Sequence, residues 1–112
     1  MKGFIKSTMH CVDGVVYAYK NEIAFRGEVI LLVILLPTGI YFTENHIEII
    51  ILIFSGILVL ITEIINSAIE AVVDRISKEN HILSKHAKDL GAGAVFVSII
   101  LLIIVWTLIL IN

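Results

Sequence analysis

Three long apolar segments, Val29 to Phe42, Ile47 to Thr62 and Gly91 to Ile111, occupy nearly half of the 112 residues. A chain so built has few choices of solvent. The third segment alone reaches the roughly 20 apolar residues that carry a helix through a bilayer. The first reaches that length if it starts near Ile23, with Arg26 and Glu28 extending to the headgroups and Pro37 tolerated or kinking the helix. The second continues helically through Glu63-Ile-Ile-Asn-Ser-Ala-Ile-Glu70 to Arg75. That makes about 29 residues, or ~43 Å at 1.5 Å each. The bilayer core is thinner, so the last turns stand in water or among headgroups.

Composition agrees: 59% of residues are apolar and only 16% charged, far from an ordinary soluble globule. One domain over 1–112 is expected. The net charge of −2 comes with few, scattered basic residues, which argues against a nucleic-acid partner. Cys11 is the single cysteine and closes no intrachain disulfide. Charges at Lys2, Lys6, Asp13 and Lys20 break up the start of the chain, unlike a cleaved signal peptide.

Orientation follows from the cations. Lys2, Lys6, Lys20 and Arg26 precede the first span, and Arg75, Lys78, Lys85 and Lys88 lie between the second and third. The short connection Thr43 to His46 carries no Lys or Arg. The amino terminus and the Arg75 to Lys88 loop are therefore expected in the cytoplasm, and the carboxyl terminus outside. Before the first span, Ile5, Met9, Val12, Val16, Tyr19 and Ile23 recur at steps of four and three. Such a stripe suits a helix lying on the cytoplasmic leaflet, and equally one packed on the chain's own helices. The fold class expected is all-α, with this interfacial helix at about 4–22 and transmembrane helices at about 23–43, 47–75 and 90–111.

The strongest chemical signal lies on the second span. Glu63, Asn66, Ser67, Glu70 and Asp74 interrupt an otherwise apolar sequence and fall within an arc of about 100°. Each acidic residue near a bilayer core costs about 2.5–3.5 kcal/mol on insertion scales, which packing alone rarely requires. Function is the favoured explanation; an interhelical hydrogen-bond network that specifies assembly is the other. Glu22, Glu28, Glu79 and Asp89, with Lys88, surround the cytoplasmic end of this face. Several carboxylates with a cation suit magnesium and a polyphosphate, because a hard cation takes oxygen ligands and bridges phosphate oxygens. Taken singly, Glu28, Glu44, Glu48 and Lys78 read as solvated anchors. His46 reads as a turn residue, and His81 and His86 stand close enough to touch a nucleotide. There is no Gly-x-x-x-x-Gly-Lys-Ser/Thr loop, and Gly91-Ala-Gly93-Ala reads as small residues that let helices approach. A soluble-type kinase fold does not fit in this length.

Three blocks, Asn21-Glu-Ile-Ala-Phe-Arg26, Glu63-Ile-Ile-Asn-Ser-Ala-Ile-Glu-Ala-Val-Val-Asp-Arg75 and Ala87-Lys-Asp89, resemble the prokaryotic diacylglycerol kinases. The likeness covers nearly the whole chain. It implies a homotrimeric bundle with active sites at subunit boundaries on the cytoplasmic side. It further implies that Glu63 is the general base beside Asn66, that Glu22 and Glu70 hold the Mg2+ bound to ATP, and that Asp74 is a supporting polar group. His10, Glu22, Glu70, Glu79, Asn80, His81, Lys88 and Asp89 correspond to nucleotide contacts. Glu63, Ala24, Phe25 and Glu28 correspond to lipid contacts. On the first helix the chain departs from the pattern: Gly3 stands where the family often has arginine, and His10 where it has tyrosine.

The expected function is ATP-dependent phosphorylation of 1,2-diacylglycerol to phosphatidic acid in a bacterial inner membrane, returning the lipid to phospholipid synthesis. Related undecaprenol kinases share the Asn-x-Ala-Ile-Glu-Ala-Val-Val-Asp core, although Phe25-Arg26 and Asp74-Arg75-Ile76 look closer to the diacylglycerol branch. From another class, a small proton or ion conductor would also align carboxylates within a membrane.

Overall fold

The computed structural model describes residues 2–76 and 81–111. Four helices follow one another: α1 Lys2–Asn21, α2 Ile23–Phe42, α3 His46–Ile76 and α4 Ile82–Leu110. Helices α2, α3 and α4 are long and apolar enough to cross a membrane. Most of their bulky side chains, from Ile30 and Val33 to Ile103 and Leu108, face outward, as lipid-facing residues must. The expected all-α architecture is what the chain adopts.

Local chemistry explains the boundaries. Glu22 takes an extended conformation, with φ −106° and ψ 107°, and so breaks α1 from α2. Two hydrogen bonds span the break, Glu22 N to Ala18 O at 2.9 Å and Arg26 N to Glu22 O at 3.0 Å. The corner is thus a defined bend whose side chain is a carboxylate. Between α2 and α3, Asn45 Oδ1 accepts from Ile47 N at 2.8 Å and Glu48 N at 3.3 Å, capping α3. Thr43 Oγ1 donates to Glu48 Oε2 at 2.8 Å and fastens the same turn. Glu48 is therefore tied into the connection rather than left as a free anchor. Pro37 lies inside α2, which nonetheless runs without interruption to Phe42. Helix α4 starts well before its apolar stretch, capped by His81, whose Nδ1 accepts from Leu83 N at 3.1 Å.

The core is a seam along α3. Leu52, Ser55, Gly56, Val59 and Glu63 are its buried residues, spaced by three and four. The helices packed beside it bury Phe25, Leu32 and Gly39 of α2, and Gly91, Val95, Ser98 and Trp106 of α4. Small residues set the approach, as helix packing in lipid demands. A methyl at Gly56 would lie 2.8 Å from Leu32 Cδ2, and one at Gly39 would lie 2.9 Å from Trp106 Cη2. Across α3 and α4, the Thr62 and Ser98 hydroxyls meet at 3.0 Å; one donates to the other, which in turn donates to the carbonyl of its own helix, Val59 O or Val95 O. Gly91 is in close contact with α3, whereas a methyl at Gly93 would meet nothing within 4 Å. Of the two glycines expected to bring helices together, only the first does so within this chain.

Candidate active site

The polar face of α3 passes from dry to wet. Glu63 is 8% exposed, Asn66, Ser67 and Glu70 are half-buried, and Asp74 is exposed. The helix rise puts Glu63 and Glu70 about 10.5 Å apart along the axis. Neighbouring helices supply what each end lacks. At the deep end, α2 brings the Glu28 carboxyl beside that of Glu63, close enough for each to act on the other. Glu28 Oε2 is itself buried and finds no partner among the described residues. The charges of Glu22, at the α1–α2 corner, and of Glu70 also act on Glu63. Carboxylates from two separate stretches of the chain thus act on Glu63.

At the wet end, α4 contributes the cation. Lys88 Nζ is 2.6 Å from Asp74 Oδ1, and Glu70 also acts on it. Between the two ends, Asn66 Nδ2 donates to Glu70 Oε1 at 3.2 Å, and Oε2 has no hydrogen bond among the described residues. Asp89, one residue on, is engaged outside the cluster by Lys85 Nζ at 2.6 Å.

Comparisons with known proteins match the sequence to one family. The model for prokaryotic diacylglycerol kinase covers residues 9–110. A protein named diacylglycerol kinase from Haemophilus influenzae is 47% identical over 102 residues, spanning 91% of this chain and 86% of that protein. One of the same name from Escherichia coli K12 is 42% identical over 106 residues, 95% of this chain and 87% of its own length. A third, from Pseudomonas aeruginosa, is 40% identical over the full 112 residues.

The chain belongs to the prokaryotic diacylglycerol kinase family.

As a member of that family it is a membrane enzyme of the kinase class. The residues expected to act fall into three groups. Glu22, Glu28, Glu63, Asn66, Glu70, Asp74 and Lys88 are drawn together by α2, α3 and α4. His10, Ala24, Phe25, His81 and Asp89 stand apart from them. His10 is exposed on α1, Ala24 faces outward, and Phe25 is 3% exposed within the core. His81 caps α4 and Asp89 pairs with Lys85. Glu79 and Asn80 lie outside the described residues, as does Lys78, expected only as an anchor.

Sequence reasoning missed three contacts. The Lys85–Asp89 pair was open to it, because oppositely charged residues four apart on a helix face each other. The meeting of Glu28 with Glu63 carries no such signal; it arises from helices whose register only packing decides. Nor does the sequence disclose that Gly91 stands against Asn66.

The donor set fits a metal carried by a nucleotide better than one held by protein alone. Among the described residues, no three Asp, Glu, His or Cys side chains converge closely enough to enclose a cation. A hard divalent cation with an octahedral demand is commonly held by one or two carboxylates together with phosphate oxygens and waters. Glu70, with one oxygen unbonded among the described residues, and Glu22, half-buried at the α1–α2 corner, suit such a role.

Proposed function

We propose that this kinase transfers the γ-phosphoryl group of ATP to the free hydroxyl of 1,2-diacylglycerol, forming phosphatidic acid at the cytoplasmic face of a bacterial inner membrane. The observation that carries the reading is the depth-graded line on α3. A buried carboxylate, Glu63, lies beneath a wetter one, Glu70, and Lys88 stands beside the upper end. A lipid hydroxyl lies near the headgroups, and a nucleotide arrives from water, so the two substrates need groups at these two levels.

In this reading Glu63 accepts the hydroxyl proton as the lipid oxygen bonds to the γ-phosphorus and the bond to the ADP oxygen breaks. Glu28 orients Glu63 from α2, and the lipid glycerol lies against the Ala24 to Glu28 turn. Glu22 and Glu70 hold the nucleotide's Mg2+, which when bound neutralises charge on the phosphate oxygens. Lys88 exchanges its Asp74 partner for phosphate oxygens, since an ammonium on a flexible stem binds them as a point charge. His10, Glu79, Asn80, His81 and Asp89 are the remaining nucleotide contacts. A chain of 112 residues does not enclose both substrates, and a homotrimer with sites shared between subunits supplies the missing walls.

The test is turnover by the purified protein in lipid nanodiscs with Mg-ATP and either diacylglycerol or undecaprenol. The expected result is ADP release that requires added diacylglycerol and yields phosphatidic acid in equal amount. Preference for undecaprenol would move the enzyme to the other branch. Proton leakage without lipid-dependent ADP release would favour a conductor.

A further inference from the structure

The amide of Asn66 is bound on one side only. Its Nδ2 donates to Glu70 Oε1 at 3.2 Å, while its Oδ1 is buried and finds no N–H or O–H donor among the described residues. Buried carbonyl oxygens rarely stay unpaired, so this one is held by something other than its own hydrogen bonds. What it faces is Gly91 of α4. A methyl group built on Gly91 would overlap Oδ1 itself, and it would sit 3.3 Å from Asn66 Cγ and 3.5 Å from Ile69 Cδ1. The backbone of α4 therefore presses against the amide at a distance that only glycine permits. A glycine Cα–H is also a weak donor to such an oxygen.

The amide has two faces, and their order matters. Turned over, Asn66 would set its oxygen against the Glu70 carboxylate and its NH2 against the α4 backbone, losing the hydrogen bond and opposing two acceptors. The Glu70 carboxylate thus selects which atom of the amide faces it, and the seat at Gly91 sets where the amide stands, within reach of that carboxylate. The same stretch of α4 carries Lys88, three residues before Gly91, paired with Asp74. The two contacts lock α4 to α3 on either side of Glu70.

We propose that Gly91 is a positioning residue of the kinase: it seats the Asn66 amide so that Nδ2 holds Glu70 in the orientation in which its other oxygen meets the nucleotide's metal. This rests on the assignment of Glu70 as a metal ligand. Gly91 touches no substrate; it acts through Asn66. Groups that orient a metal ligand in this way typically change metal affinity by about 10- to 100-fold when removed.

Mn2+ and a non-hydrolysable ATP analogue, added to the full chain in nanodiscs and followed by electron paramagnetic resonance, measure that affinity without turnover. Gly91→Ala is expected to weaken Mn2+ binding at least about tenfold, and Asn66→Ala by a similar factor. Because the methyl acts through the amide, Gly91→Ala should add almost nothing in the Asn66→Ala background. Gly93→Ala, which puts the same methyl into open space on the same helix, should bind as the unaltered protein does. If Gly91→Ala fails to fold, the double variant should recover the fold, since the overlap is gone. The proposal is overturned if folded Gly91→Ala keeps its affinity within twofold, if the two losses add, or if Asn66→Ala alone binds Mn2+ normally. Failure of the underlying assignment looks different: Glu70→Gln would then bind Mn2+ as well as the unaltered protein.

Discussion

Replacing Glu63 with glutamine tests the centre of the proposed mechanism with little risk to the fold. The side chain is 8% exposed and lies against Glu28, and a carboxamide of nearly the same shape can donate to that carboxyl. Packing is preserved, while the proton acceptor is lost. General-base catalysis contributes about 10²- to 10⁴-fold, equivalent to about 3 to 5 kcal/mol of barrier. Because Glu63 lies about 10.5 Å below Glu70 along α3, its loss should leave the nucleotide level untouched. The expected result is a kcat lowered by about 10²- to 10⁴-fold with KM for Mg-ATP nearly unchanged. Glu70→Gln should instead lower kcat and weaken Mg-ATP use together. The assay is steady-state turnover in nanodiscs, with the oligomer and helix content verified for each variant. Near-normal kcat in a folded Glu63→Gln protein would refute the base assignment and turn attention to Glu70 or Asp74.

Topology is open to labelling: with Cys11 replaced, a cysteine at Asn45 should react with an impermeant thiol reagent added outside intact cells, and one at Ser84 should not. The opposite pattern would put the acidic cluster on the wrong side for ATP. Shared sites predict that inactive Glu22→Gln and Glu70→Gln chains regain some activity when mixed, whereas silent mixed oligomers would mean that each site belongs to one chain. Packing at the other end of the bundle can be probed by Gly39→Ala, whose methyl would lie 2.9 Å from Trp106 Cη2 and 3.1 Å from Leu52 Cδ1. Overpacking of this kind costs about 1–3 kcal/mol, and a shift of the unfolding transition in mixed micelles should reveal it. Gly14→Ala, with open space around it, should be neutral or slightly stabilising.

What the sequence disclosed depended on distance along the chain. Apolar length predicted three crossings, because a bilayer imposes the same requirement on any helix. The face shared by Glu63, Asn66, Glu70 and Asp74 followed from helical periodicity, a local property. Contacts between helices were legible only through family resemblance or not at all: the approach of Glu28 to Glu63 and of Lys88 to Asp74 depends on the register of α2 and α4 against α3. That register is set by small residues. Gly56 admits Leu32, Gly39 admits Trp106 and Gly91 admits Asn66. A sequence shows these glycines as gaps in an apolar pattern without saying which large side chain fills each gap. The consequence for function is specific. In lipid, where burial of apolar surface gives helices little reason to choose one register, close contact at glycine becomes the means by which a seam places carboxylates. The residues that position this site are therefore as far from chemistry as a hydrogen atom in place of a side chain, and they are found by asking what a methyl there would strike.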